Sequence, residues 1–190
     1  AFELAYWSWG LKKANDWRER VGRERNADWD RMADQMAPWP VVNGVYVEAE
    51  SVLEKDGGHP TQLAAYGFLP ASAYLDKEVM RKTLRHVLDN WDWADTWGWD
   101  FPLIAMTAIR LNEPEWALEA LLKSVQKNTY LPNGHNFQNE GLPLYLPGNG
   151  GLLTVVAMMC AGWDGCTEGN PGFPKNGLWN VKWEGLKPAF

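Results

Sequence analysis

The chain has 190 residues and a formal charge of −6. Hydrophobic residues make up 46% and charged residues 22%, the composition of one globular domain, which excludes a disordered or fibrous chain. The acidic balance offers no basic stripe for a nucleic acid duplex. The longest apolar run, Leu152 to Ala161, falls well short of the ~20 residues that span a bilayer. No signal peptide opens the sequence, and it starts at Ala1 rather than Met, the start expected of a processed protein or an excised piece.

Phe2 to Val21 reads as an amphipathic helix, with Leu4, Trp7, Leu11, Ala14, Trp17 and Val21 at three- and four-residue spacing and Gly22 as its stop. Asn26 to Met36 predicts a second helix that carries Trp29, Met32, Ala33 and Met36 on one face and ends before Pro38 and Pro40. Val41 to Val47, with Asn43-Gly44 at its centre, is a β-hairpin signal. A glycine-rich loop leads to His59-Pro60, and Thr61 to Leu69 predicts a short helix closed by Pro70.

Asp76 is placed as the N-cap of a helix from Lys77 to Trp91, with Val79, Leu84, Val87, Leu88 and Trp91 on its buried face. The turn Trp97-Gly98-Trp99-Asp100 precedes a very apolar helix from Pro102 to Leu111. Asn112-Glu113-Pro114-Glu115 reads as an N-cap and first turn for a helix reaching Val125. A long polar loop is expected from Asn128 to Asn149, then a helix from Gly150 to Ala161 that is apolar nearly all round and so buried on all sides. From Pro171 the tail alternates Trp179, Val181 and Trp183 with polar residues, a strand-like pattern.

The fold class that follows is all-α. Fully apolar helices alternate with amphipathic ones, as a two-layer ring of antiparallel helical hairpins requires, with a small β-hairpin and the strand-like tail at 171–190 added. Long loops rich in Gly, Trp, Asn and His lead into the inner helices, and such loops are functional candidates because plain connections are short.

Thirteen tryptophans are an unusual number for this length. They read either as a large aromatic core or as flat platforms on which the C–H faces of sugar rings stack. Cys160 and Cys166 are too few and wrongly spaced for a metal cluster, and read as one bridge closing a tight turn or as two free thiols. The three scattered histidines give no metal-ligand spacing. No cofactor is expected.

In this order the motifs resemble those of the six-hairpin, (α/α)6-toroid glycoside hydrolases, closest to the C-terminal part of the family 95 type (α-L-fucosidase-like) enzymes. Gly58-His59-Pro60-Thr61-Gln62-Leu63 is similar to that family's Arg-His-x-Ser-His-Leu loop. Gly98-Trp99-Asp100 stands where the family has Gly-Trp-Ser. Pro147-Gly148-Asn149-Gly150-Gly151 resembles its Asp-Gly-Asn-x-Gly, and Gly185-Leu186-Lys187 looks like the strand after its toroid. The resemblance implies that residues 1–170 form a toroid segment, that a missing N-terminal part or a dimer completes the ring, that the partner is a carbohydrate substrate, and that the protein is periplasmic or secreted. Two departures stand out. Pro147 occupies the position of the Asp that activates the family's catalytic water, and Gln62 replaces the second His. The family's general acid lies upstream of the matched part, so the isolated chain is expected to hydrolyse glycosides weakly or not at all.

Inverting glycosidases use two carboxyl groups roughly 6.5–9.5 Å apart. Asp100, beside two tryptophans, and Glu140, in the Asn-rich loop, are the catalytic candidates; an N-cap and a solvated loop charge are the plain readings beside them. Glu48 and Glu50 follow the hairpin and point either into the mouth or into water. His59, Trp97, Trp99, His135, Asn136 and Asn149 are the substrate-binding candidates, since indoles stack on sugars while Asn and His pair with hydroxyls. For the tryptophans the alternative is core packing; for Asn149 it is a helix cap. His86 reads as a surface residue. Three functions remain open: a glycoside hydrolase, a polysaccharide lyase or unsaturated-uronide hydrolase, and a non-catalytic binding or structural segment. The lyase needs Arg or Lys to neutralise a uronate, and the mouth loops are poor in both.

Overall fold

The computed structural model describes residues 1–51 and 57–189. Among them are seven α-helices: α1 (Phe2–Arg20), α2 (Ala27–Asp34), α3 (Ala64–Gly67), α4 (Lys77–Asn90), α5 (Asp100–Arg110), α6 (Pro114–Leu121) and α7 (Leu146–Ala161). The protein is mostly helical, with two small two-stranded antiparallel sheets, β1 (Val41–Val42) with β2 (Val45–Tyr46) and β3 (Thr129–Tyr130) with β4 (Asn136–Phe137). No described helix is long and apolar enough to cross a membrane.

Helices α1, α3, α5 and α7 touch in succession, while α2 lies on α1, α4 on β2 and α5, and α6 on α5. At the centre is α5, every residue of which is buried. The helices expected at 102–111 and 150–161, observed as α5 and α7, therefore pack against each other. The core runs through Leu63, Leu84, Val87, Leu103, Ile104, Ile109, Met158 and Met159.

Local chemistry explains most boundaries. The Asn26 side-chain oxygen accepts from the N–H groups of Asp28 and Trp29, and Asp76 does the same for Glu78 and Val79, so both caps offset orphan donors of a first turn. The first hairpin forms as its sequence predicts, with Asn43 at φ 51° and Gly44 at φ 80°, the left-handed pair that a two-residue turn needs.

Other expectations change. On α1 the stripe through Trp7, Trp17 and Val21 faces outward, with Trp17 60% exposed; the buried side carries Ala5, Ser8 and Asn15. Small and polar groups win there because they dock α2. Ser8 Oγ donates to the Ala33 carbonyl at 2.9 Å, and Asn15 exchanges two hydrogen bonds with the Asn26 backbone. Asn112 is not the cap of α6. At φ 60° it closes α5, with its N–H on Ile109 O and the Glu113 N–H on Ala108 O, a left-handed helix ending. Helix α6 stops at Leu121, short of Val125.

The 128–149 stretch is not plain loop. Asn133-Gly134 turns it into the β3–β4 hairpin. Helix α7 starts four residues early, with Pro147 in its first turn, and is not buried all round: Leu146, Leu153 and Val156 are exposed. Among the described tail residues no strand forms. An isolated bridge ties Ala189 to Trp163, and Phe173 lies against Trp179. The alternation of residues 179–183 finds no strand to pair with, and Gly172 packs so closely on Met159 that a Cβ would overlap it. Cys160 and Cys166 are both free thiols.

Candidate functional site

The starts of α3, α5 and α7 are tied to one another by side chains. His59 precedes a 3-10 turn at Thr61–Leu63 that runs into α3. Its Nδ1 lies 3.0 and 3.1 Å from the two carboxylate oxygens of Asp100, the first residue of α5. Asp100 also reaches back to accept from the Trp97 N–H at 2.7 Å, as the third residue of a capping box does. The plain reading of Asp100 as an N-cap is thus replaced by a backward cap plus a histidine partner.

The Asp100 side chain is 0% exposed, and burial pushes its carboxyl up to about 6 against the lowering effects of the Trp97 N–H and of His59. The His59 side chain keeps 37% of its surface. With Nδ1 facing the Asp100 carboxylate, the ring turns Nε2 away from it, the orientation that a carboxylate partner imposes on an imidazole.

Aromatic rings frame the pair. The His59 ring centroid is 4.9 Å from that of Trp99 and 6.2 Å from that of Trp97. Trp99 stacks on Phe68, Trp97 leans on Tyr145 at 5.4 Å, and Lys127 Nζ lies 5.5 Å from the Trp97 centroid. Neither Trp97 nor Trp99 is fully buried. Burial first, and the Asp100 charge second, hold the Tyr145 phenol above its ordinary value.

Beside this pair the β3–β4 hairpin is locked to the rim. Buried Asn136 donates through Nδ2 to the carbonyls of Lys127 and Thr129, and its own N–H donates to Asn149 Oδ1 at 3.0 Å. Gln138 accepts from the Gly98 N–H and donates to Asn136 Oδ1. Asn149 gives its amide to the Gly134 carbonyl, so it braces the hairpin from within α7 rather than capping the helix.

The structure therefore brings His59, Trp97, Trp99 and Asp100 together and places Asn136 and Asn149 next to them as framework. His135 sits at the hairpin turn, its N–H donating to Asn133 Oδ1. Glu140 is exposed in the turn closed by the Asn139–Leu142 bridge, and no hydrogen bond or ion pair among the described residues joins it to Asp100. Sequence reasoning missed Tyr145 and Gln138. The signal for both was the Asn133-Gly134 turn, which folds their loop back over Trp97 and Gly98.

Two cavities flank His59 and Trp99. One, of about 380 Å³, lies under the first hairpin and is lined by Glu48, His59, Gln62 and Trp91 among others. The second, of about 330 Å³, is a mostly apolar cleft between Phe68, Trp99, Met106, Pro147 and Met158. No group of three or more His, Cys, Asp or Glu among the described residues is arranged to hold a metal ion. Comparison with family models, with curated proteins and with solved structures finds no match.

Proposed function

We propose that the chain is a segment of an (α/α) helical-hairpin toroid of the glycoside hydrolase type, and that the rim at His59, Trp97 and Trp99 is its carbohydrate-binding wall. The succession α1, α3, α5, α7, with α2, α4 and α6 packed against them, supports the hairpin layering. The observation that carries the reading is the imidazole, paired with Asp100, beside two part-exposed indoles. A sugar ring offers an apolar face to an indole and hydroxyls to His59 Nε2.

The same geometry favours binding over acid–base work by this rim alone. Asp100 has no exposed surface and both its oxygens are engaged, so it positions His59 and does not protonate a glycosidic oxygen. Pro147, in the first turn of α7, has no group to activate water. Hydrolysis then requires carboxyl groups outside this rim, and a non-catalytic binding segment is the second reading that Asp100 burial supports.

The test is a titration of the chain, labelled with ¹⁵N at the tryptophan indoles, with a panel of neutral oligosaccharides, beside an aryl-glycoside hydrolysis assay. Oligosaccharide-dependent shifts at the Trp97 or Trp99 indole, lost in His59→Ala, are expected. A panel that moves neither indole overturns the reading.

A further inference from the structure

We infer that the cavity beneath the Asn43–Gly44 turn is the seat of a single neutral sugar ring, the end unit of a glycan, with Glu48 and Gln62 as hydroxyl-binding groups. The inference rests on the carbohydrate reading above and adds to it a unit size, a charge class and two residues.

Size comes first. A volume of about 380 Å³ lies at the low end of the roughly 300–1,000 Å³ of small-molecule pockets. That volume admits a sugar ring. The cavity walls are fixed. The Tyr46 N–H donates to Thr83 Oγ1 at 2.8 Å, which ties β2 to α4, and the Tyr46 ring packs edge-on against Trp39. Trp91 Nε1 donates to the Gly58 carbonyl at 3.0 Å, which fixes the indole at the opposite wall.

The lining has the mixed character that a sugar presents. Val42, Val47 and Trp91 supply apolar surface for C–H groups, while Thr61, Gln62 and Glu48 supply hydroxyl, amide and carboxylate. Gln62 is the most telling. It is 6% exposed and lines the cavity, yet its side-chain amide makes no hydrogen bond among the described residues. The amide opens on the cavity with no protein partner among the described residues, so its donor and its acceptor are both available to a ligand that offers paired acceptors and donors. Charge narrows the class further. No lysine or arginine stands among the described lining residues; their carboxylate and imidazole side chains are Glu48, His59 and His86, and the Glu48 carboxylate repels anions. A uronate or a sugar phosphate is disfavoured and a neutral ring is favoured.

His59 lines this cavity and also touches Trp99. A ring seated under the hairpin is therefore continuous with the Trp97–Trp99 rim, where further units of the same glycan would lie. That continuity makes the cavity a chain-end site.

The experiment uses the full chain with ¹⁵N-labelled indoles, titrated with D-glucose, D-galactose and L-fucose, and separately with D-glucuronate and glucose 6-phosphate. At least one neutral monosaccharide is expected to move the Trp91 indole signal, and both anions to bind at least about tenfold more weakly. Gln62→Ala and Glu48→Gln should each weaken the neutral sugar at least about tenfold. Glu48 is exposed, so its variant keeps the fold, which an unchanged melting temperature verifies. Monosaccharides that move Trp97 or Trp99 but leave Trp91 still, or that bind both variants as they bind the parent, place the sugar on the rim and overturn this inference while the carbohydrate reading stands. Anions that bind as tightly as neutral sugars overturn the charge class. If no mono- or oligosaccharide moves any indole, both readings fall.

Discussion

The Asn136 side-chain oxygen occupies the space where Gly98 would carry a Cβ: one built there comes within 1.8 Å of it. A Cβ at Gly148 would stand 2.3 Å from the same oxygen. Two backbones, at the start of α5 and the start of α7, thus close on one buried amide. That contact sets the spacing between the Trp97–Trp99 turn and the β3–β4 hairpin.

Gly98→Ala should therefore destabilise the fold by about 1–3 kcal/mol, the usual range for overpacking a closed site. Asn136 cannot simply swing away, because its amide is bonded to the Lys127 and Thr129 carbonyls. The urea midpoint measures the loss. The double variant Gly98→Ala with Asn136→Ala should show positive coupling, since the first change no longer meets the second side chain. Strict additivity would refute the contact.

How far the sequence could be read depended on where the deciding interaction lay. Caps and turns use residues two or three apart, so Asp76 and Asn43-Gly44 were legible. The apolar run of α5 was legible because a helix covered on every side has no polar face to hide. The α1 stripe misled because Trp7 and Trp17 carry the stronger hydrophobic signal, while the docking of α2 uses Ser8 and Asn15, whose partners Ala33 and Asn26 are far along the chain. Asn112 misled because one residue type serves both as an N-cap and as a left-handed helix ending. At the site, the residue types in the loops nominated His59, Trp97, Trp99 and Asp100, but the His59–Asp100 pairing spans 41 residues and no spacing rule reports it.

Asp100 gives a pH prediction. Its carboxyl is pushed up to about 6 in the folded protein by burial, against about 3.9 in an unfolded chain. Between those values the native state keeps a proton that the unfolded state has released. Its contribution to stability is fully present below about pH 4 and is lost as pH rises through about 6. Asp100→Asn removes that dependence, so the variant's stability relative to the parent should rise by on the order of 3 kcal/mol between pH 4 and pH 7. Urea unfolding of both proteins across that range measures it. A difference that stays constant with pH would sink the assignment.

His59→Ala should push the Asp100 carboxyl higher still. The histidine lowers it through charge and through its hydrogen bond, and the variant leaves the Trp97 N–H as the remaining lowering influence. The ¹³C carboxyl signal of Asp100, followed against pH, should show a midpoint above about 6. A midpoint that falls or does not move would mean that His59 is not its partner in solution.

The two faces of α7 should respond oppositely to truncation. Leu153 is 73% exposed, while Met158, five residues on, is fully buried among core residues that include Val155 and Met159. Both are large apolar side chains on one helix, so propensity does not separate them. Burial does. Leu153→Ala removes little area from a packed environment and should change stability by no more than about 0.5 kcal/mol. Met158→Ala opens a cavity beneath Met106 and Trp99, which line the same cleft, and should cost about 2–5 kcal/mol. Thermal or urea unfolding of the two variants compares them directly. If Leu153→Ala costs as much as Met158→Ala, then the Leu146–Leu153–Val156 face is covered in solution, and sedimentation of the parent chain over a range of concentrations would show whether a second copy covers it.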